Sequence, residues 1–241
     1  MSKWGSTGDF GPADTTVADD GLGDAGEWRT YTQRAYDELR RRILDGRLPP
    51  GSRIIVRVLS EDLGLSPTPI KNALAALERE GLLDTVPYRG YSVPHTDPEA
   101  VAEAFEVLAV LDGLAARRII AAGNRSTIDE LRQLVRRQRQ ARADEPHSAG
   151  FELDFHKVMW EGAGNRQLVT AAGHQRGLLL VASGGLLELP ERRPEIRTEH
   201  EAIVAALSAG DAVAAAAACE RHMARSTEIT LERIAERRGD R

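Results

Sequence analysis

Residues Arg57 to Val93 read RVLSEDLGLSPTPIKNALAALEREGLLDTVPYRGYSV, and the order of their signals decides the fold class. Leu59 and Leu63 stand four apart and share one face of a short helix. Gly64 supplies the backbone freedom for a tight turn through Leu65 and Ser66. Ser66 is a good N-cap, and Pro67 falls at the first helical position, where a missing N–H costs nothing. Ile70, Ala73, Leu74 and Leu77 then recur at helical spacing as one apolar stripe. Gly81, after Glu78-Arg79-Glu80, reads as the residue that ends this second helix. Leu82–Val86 and Tyr91–Val93 are β-prone segments around a Pro87-Tyr88-Arg89-Gly90 turn. Helix, turn, helix and two-stranded ribbon in that order spell a winged helix-turn-helix. The face opposite the apolar stripe carries Thr68, Lys71, Asn72 and Ala75, short or hydrogen-bonding groups suited to the major groove. Arg89, at a turn tip, can reach a groove or a phosphate. The expected partner is duplex DNA. A helix-turn-helix alone is also a common packing motif, and the wing with arginine at its tip is what favours DNA.

Working outward, a chain of 241 residues has room for two domains, each with a core. Apolar residues make up 41% and charged residues 29%, an ordinary soluble composition. No apolar run approaches a membrane span and no cleavable signal sequence opens the chain, so a cytoplasmic location without membrane contact is expected. The single cysteine, Cys219, fits a reducing compartment and reads as a small core residue, not a nucleophile. The net charge of −5 is unusual for a DNA binder, but its distribution resolves this. Residues 1–28 hold six acids against one lysine, and residues 97–241 hold twenty-three acids against twenty Lys/Arg. Residues 29–96 hold eleven Lys/Arg against eight acids, so the segment with the winged helix is the basic one. The excess is small, and binding should depend on placed arginines more than on bulk charge.

Three regions follow. Residues 1–28, rich in Gly, Asp, Thr and Ala without periodicity, read as a disordered acidic tail. Residues 29–96 form the winged helix-turn-helix, preceded by a helix over about 32–45 with Ala35, Tyr36, Leu39 and Ile43 inward and Gly46 as its stop. Pro94–Pro98 is a short linker with His95 exposed. Residues 97–241 read as helical throughout, with helices near 98–122, 126–143, 148–163, 165–189, 194–208 and 211–237 and no convincing strand. The fold class is therefore mainly α: an N-terminal winged helix-turn-helix with a small β-wing, then a C-terminal all-α bundle. The alanine run Ala214–Ala218 is a close-packing helix face.

The residues also resemble a known family. Residues 31–93 look like the winged-helix domain of GntR-family transcription regulators. The resemblance rests on Ile43–Gly51, Leu63-Gly64-Leu65-Ser66, Ala73-Leu74, Leu77–Leu82 and Arg89-Gly90. Residues 97–236 are similar to the helical FCD effector domain of the FadR-type branch through Asp154-Phe155-His156, Ala163-Gly164-Asn165, Glu199–Ile203, Ala209-Gly210-Asp211 and His222-Met223. The resemblance implies that Arg57, Ser66, Thr68, Lys71, Arg89 and Gly90 contact DNA, and Asn72 joins them as a member of the exposed face. It also exposes two departures. The family usually has Arg where this chain has Pro67, and Arg-Glu where it has Lys71-Asn72. Arginine can bind guanine bidentately whereas lysine is a point charge, so the operator should differ from the family's common one.

Glu152 and His156, four apart, share a helix face, and His200 and His222 fall on two later helices. One carboxylate and three imidazoles from three helices can surround a divalent ion and leave positions open. The resemblance implies a similar arrangement, with an aspartate where this chain has the longer Glu152, and the ligand set leaves zinc, nickel or manganese as the candidates. Asp154, two residues before His156, should point away. Any one histidine alone reads as a surface or satisfied core residue, and His147 and His174 stay in that class. A metal would suit a small carboxylate effector. The arginine that the family places in the first effector-domain helix, however, aligns with Leu108, so a larger or less charged molecule stays open. Asn165 either lines the pocket or, more in keeping with its position, caps a helix. Arg117 and Arg118 either face the cavity or are solvated.

The expectation is a homodimeric regulator on a pseudo-palindromic DNA operator, controlled by a small-molecule effector and without enzymatic activity. Two rivals remain: a metal-dependent hydrolase in the helical region, and a DNA binder whose helical region only dimerises.

Overall fold

The computed structural model describes residues 30–86, 90–140, 151–183 and 192–239, with the backbone alone at 151–153 and 237–239. The acidic tail, Arg89 at the wing tip, His147 and the side chain of Glu152 lie outside the described residues.

Helix α1 (Tyr31–Leu44) is capped by Thr30, whose hydroxyl accepts from the Gln33 amide at 3.1 Å. It buries Ala35, Leu39 and Ile43. Tyr36, expected inward, is only half-buried, and its hydroxyl donates to Glu80 Oε2 at 2.7 Å. Strand β1 (Arg53–Ile54) leads into α2 (Val56–Leu63). That helix stops at Gly64, whose φ of 62° is the left-handed conformation the turn requires. Helix α3 (Pro67–Arg79) starts with proline in its first turn and buries the stripe Ile70, Ala73, Leu74 and Leu77 almost completely. Ile70, Leu74 and Leu77 each contribute roughly 1.5–3 kcal/mol of burial.

The ribbon differs from expectation in two ways. Strand β2 is Asp84–Val86 and β3 is Gly90–Ser92, and a third strand joins them. The sheet order is β1-β3-β2, with β3 central and antiparallel to both neighbours. The two residues of β1 were too short a run to show periodicity. Leu82 and Leu83 are not strand: both are buried, which strand alternation would forbid for neighbouring residues.

Helices α4 (Pro98–Ala121), α5 (Arg125–Gln140), α6 (Phe151–Gly162), α7 (Arg166–Ser183), α8 (Arg193–Ala209) and α9 (Ala212–Gly239) follow. Asp97 caps α4, its carboxylate accepting from the Ala100 amide at 2.8 Å. The bundle core is built on Phe105, Leu108, Ile119, Leu131, Phe155, Met159, Leu168, Ile203 and Met223. The α4–α9 pair is its most extensive contact. A separate core fills the winged helix, and α7 reaches into it with Val181 and the partly buried Leu180. No helix among the described residues is long and apolar enough to cross a membrane.

Candidate DNA interface and histidine centre

Arg57, Ser66, Thr68, Lys71 and Asn72 are all exposed, and Gly90 is exposed at the first position of β3. The buried stripe of α3 fixes the direction of Thr68, Lys71 and Asn72, because Ile70, Ala73, Leu74 and Leu77 must face the core. Ser66 occupies the N-cap position, yet its hydroxyl makes no capping bond. Arg57 donates to Glu61 one turn on at 2.9 Å, both side chains largely exposed. A phosphate would have to compete with that carboxylate for the guanidinium. Water screens the pair, so its hold is weak.

The three histidines converge. His156 comes from α6, His200 from α8 and His222 from α9, and all are fully buried. Their candidate ligand nitrogens lie within 4.8 Å of one another. His156 Nε2 stands 3.1 Å from His222 Nε2. Phe155 stacks flat on the His200 ring, with centroids 3.8 Å apart.

What faces the other ring nitrogens fixes the chemistry. Asp112 Oδ2 lies 2.9 Å from His156 Nδ1, and Glu199 Oε2 lies 2.6 Å from His222 Nδ1. A carboxylate accepts, so both Nδ1 atoms carry a proton, and on a neutral ring each Nε2 then presents its lone pair. The Gln138 amide sits beside His200 Nδ1, its nitrogen at 3.1 Å and its oxygen at 3.2 Å, and in the tautomer in which the oxygen accepts the third Nε2 is bare as well. His200 Nε2 is buried without a hydrogen-bond partner. Burial, the other two histidines and the charges of Arg192 and Arg176 hold the His200 imidazole well below its ordinary pKa, in the neutral form that ligates. Three lone pairs aimed at one another leave a polar deficit that a cation would fill. The donor set fits a divalent transition metal, with His156, His200 and His222 as ligands and a carboxylate or amide orienting each ring.

The orienting groups are themselves held. Asp112 is completely buried and also accepts from Trp160 Nε1 at 2.5 Å. Glu199 accepts from Arg192 Nη2 at 3.0 Å, and Arg192 donates to Ser226 Oγ at 3.1 Å.

Asp112 was missed by sequence reasoning, although a signal existed. It occupies a buried position of α4 between Leu108 and Ala116, where the helical spacing calls for an apolar residue. Asp154 is exposed, as its angular offset from His156 predicts. Asn165 caps α7, accepting from the Gln167 and Leu168 amides at 3.1 and 3.3 Å. Arg117 is exposed, while Arg118 donates to the Ala163 carbonyl at 2.8 Å and ties α4 to the turn after α6. Leu108 is buried one turn before Asp112, so the apolar residue does occupy an inward position. Cys219 is buried and its thiol is pushed far up by burial, which makes it inert.

An exposed recognition face joined to a helical bundle with a polar centre defines a two-part DNA-binding regulator. The gntR family of bacterial regulatory proteins matches residues 31–93, and the FCD domain matches residues 103–225. The chain belongs to the GntR family and carries an FCD domain; it is a DNA-binding transcription regulator of that type.

Among its relatives is an HTH-type transcriptional regulator in an unstable DNA locus of Streptomyces ambofaciens. It is 27% identical over 206 residues, covering 86% of this chain and 87% of the relative. A probable D-xylose utilization operon transcriptional repressor of Paenarthrobacter nicotinovorans is 27% identical over 201 residues, covering 81% and 86%. The solved structure of McbR/YncC from Escherichia coli shares the fold with a TM-score of 0.63 at 21% identity, covering 85% of this chain and 99% of that one.

Proposed function

We propose that this regulator acts as a cytoplasmic homodimer on a pseudo-palindromic operator, and that a divalent metal and a small anionic effector at the histidine centre control its affinity for DNA. The observation that carries the reading is the set of three Nε2 atoms, each on a ring whose Nδ1 is already engaged and one without any partner. When bound, the metal would supply positive charge and open coordination positions for a carboxylate oxygen. The protein's part is to bury three imidazoles, hold each by its Nδ1 and keep each ring in one orientation. Residues 29–96 are the DNA-binding domain and residues 97–241 the effector domain in this reading. Arg57, Ser66, Thr68, Lys71, Asn72, Arg89 and Gly90 contact the operator.

Dimerisation draws support from α4, which leaves Val107 and Val110 exposed within one turn. Two winged helices related by a twofold axis would then meet successive major-groove half-sites. An effector can act only by binding the DNA-competent and incompetent arrangements with different affinity.

Metal analysis of the purified chain tests the reading. Wild type should carry close to one divalent ion per chain, and the His156→Ala/His200→Ala variant should carry none. Equal metal content in the two proteins would remove the metal from the proposal.

A further inference from the structure

At one point the two cores meet backbone to backbone. A Cβ on Gly177, in the middle of α7, would lie 1.8 Å from the Glu80 carbonyl oxygen and 2.6 Å from the Gly81 carbonyl carbon. A Cβ on Gly81 would lie 2.0 Å from the His174 carbonyl oxygen. These neighbours are backbone atoms, so no rotamer change can make room. Gly81 has a φ of 72° and would favour glycine as a helix end in any case. Gly177 has no such reason, and glycine inside a helix costs roughly 1 kcal/mol relative to alanine. Gly173, one turn earlier in the same helix, would meet nothing within 4 Å. Close approach is therefore what position 177 requires.

The turn that α7 grips is the C-terminal end of the recognition helix. Val181 and Leu180 continue the contact into the core of the winged helix. From the other side, Tyr36 holds Glu80 through its hydroxyl. α7 also packs against α4 and α6, which carry Asp112 and His156.

We propose that the Gly81–Gly177 seam is the joint through which the helical bundle positions the recognition helix, which makes Gly177 a positioning residue for operator binding. Backbone lies against backbone there, so no side chain can absorb a displacement of α7, and the Glu80-Gly81 turn must follow it. This inference rests on the DNA-binding function and holds with or without a metal at the histidines.

The test uses the full-length chain, a duplex selected by the wild-type protein from a random pool, and the variants Gly177→Ala and Gly173→Ala. Gly173→Ala should stay within about twofold of wild type in operator affinity and in amide exchange over residues 78–82. Gly177→Ala should remain helical, exchange about tenfold faster at those amides and shift operator affinity by about fivefold or more. If Gly177→Ala does not fold, Val181→Ala weakens the same joint without a clash and should move the same two readouts. Faster exchange with unchanged operator affinity would reduce the seam to packing and overturn the proposal, as would unchanged exchange.

Discussion

Replacing Asp112 by asparagine separates the packing role of this side chain from its effect on the histidine centre. The change is nearly isosteric, and the site is completely buried, so no cavity forms. Asp112 now accepts two donors, His156 Nδ1–H and Trp160 Nε1–H. An amide has one accepting oxygen and one donating nitrogen. Indole can only donate, so the oxygen must stay on Trp160; the opposite flip would bury two facing donors at a cost of about 1–3 kcal/mol. The amide nitrogen then faces His156 Nδ1, which has to become an acceptor. The imidazole proton moves to Nε2, and the lone pair aimed at the centre is lost. Zinc affinity should fall by about 10–100-fold, roughly 1.4–2.8 kcal/mol. Without metal the sign reverses, because Nε2–H of His156 can now donate to His222 Nε2, 3.1 Å away. The metal-free variant should therefore melt at or above the wild-type temperature. The assay is zinc titration against a chromophoric chelator, paired with thermal melts of the stripped proteins. Zinc affinity within about threefold of wild type would refute the tautomer argument. A clearly lower melting temperature for the stripped variant would refute the account of the apo site.

Arg57→Ala should weaken operator binding on the order of tenfold and reduce the slope of log affinity against log salt by about one, as loss of a phosphate contact requires. Gel shifts at two or more salt concentrations check both, and unchanged affinity and slope would exclude Arg57 from the interface. His200 gives metal-free protein a pH dependence of known sign. Its folded pKa lies below the ordinary value of 6.5, so as pH falls through 6.5 the unfolded chain binds a proton that native His200 refuses. Stability is then full above that value and declines below it by at most about 1.4 kcal/mol per pH unit. Urea melts of stripped wild type and His200→Gln between pH 7.5 and 5 should therefore converge as pH falls, and parallel curves would contradict the assignment.

The winged helix was legible because each of its signals is local. Gly64, Pro67 and the stripe Ile70, Ala73, Leu74 and Leu77 specify helix, turn and helix within two dozen residues, and the structure keeps every one of them in its expected role. Helix ends in the bundle were similarly readable from Gly210 and Asn165. Strand β1 was not legible, since two residues carry no period and their pairing with β3 is long-range. The three histidines were found, but the groups that orient them were not. Asp112, Gln138 and Glu199 reach the centre from three helices at separations of 23 to 62 residues along the chain, and no spacing rule links residues so far apart. The glycine seam was hidden for the same reason: Gly177 alone reads as a tolerated helix glycine, and only the folded chain shows Glu80 against it.

The division of labour among the helices bears on how a signal could travel. The three imidazoles come from α6, α8 and α9, and their orienting groups from α4, α5 and α8. Filling the centre would thus tighten five helices toward one point, which is a change the sixth cannot ignore. That sixth helix, α7, packs on α4 and α6 and also buries Arg176, whose charge helps keep His200 neutral. Its outer face is the one that meets Glu80-Gly81. A rigid rod with one side on the centre's supporting helices and the other on the recognition helix converts small adjustments into head placement, because packed interfaces move as units and do not deform continuously. The coupling must also run in reverse: DNA that fixes α3 should change the affinity of the centre for zinc by the same factor that zinc changes the affinity for DNA. Zinc titrations with and without operator, compared with operator titrations with and without zinc, should therefore give equal ratios in wild type. In Gly177→Ala both ratios should approach one. A Gly177→Ala protein with the wild-type ratios would show that the signal takes another route.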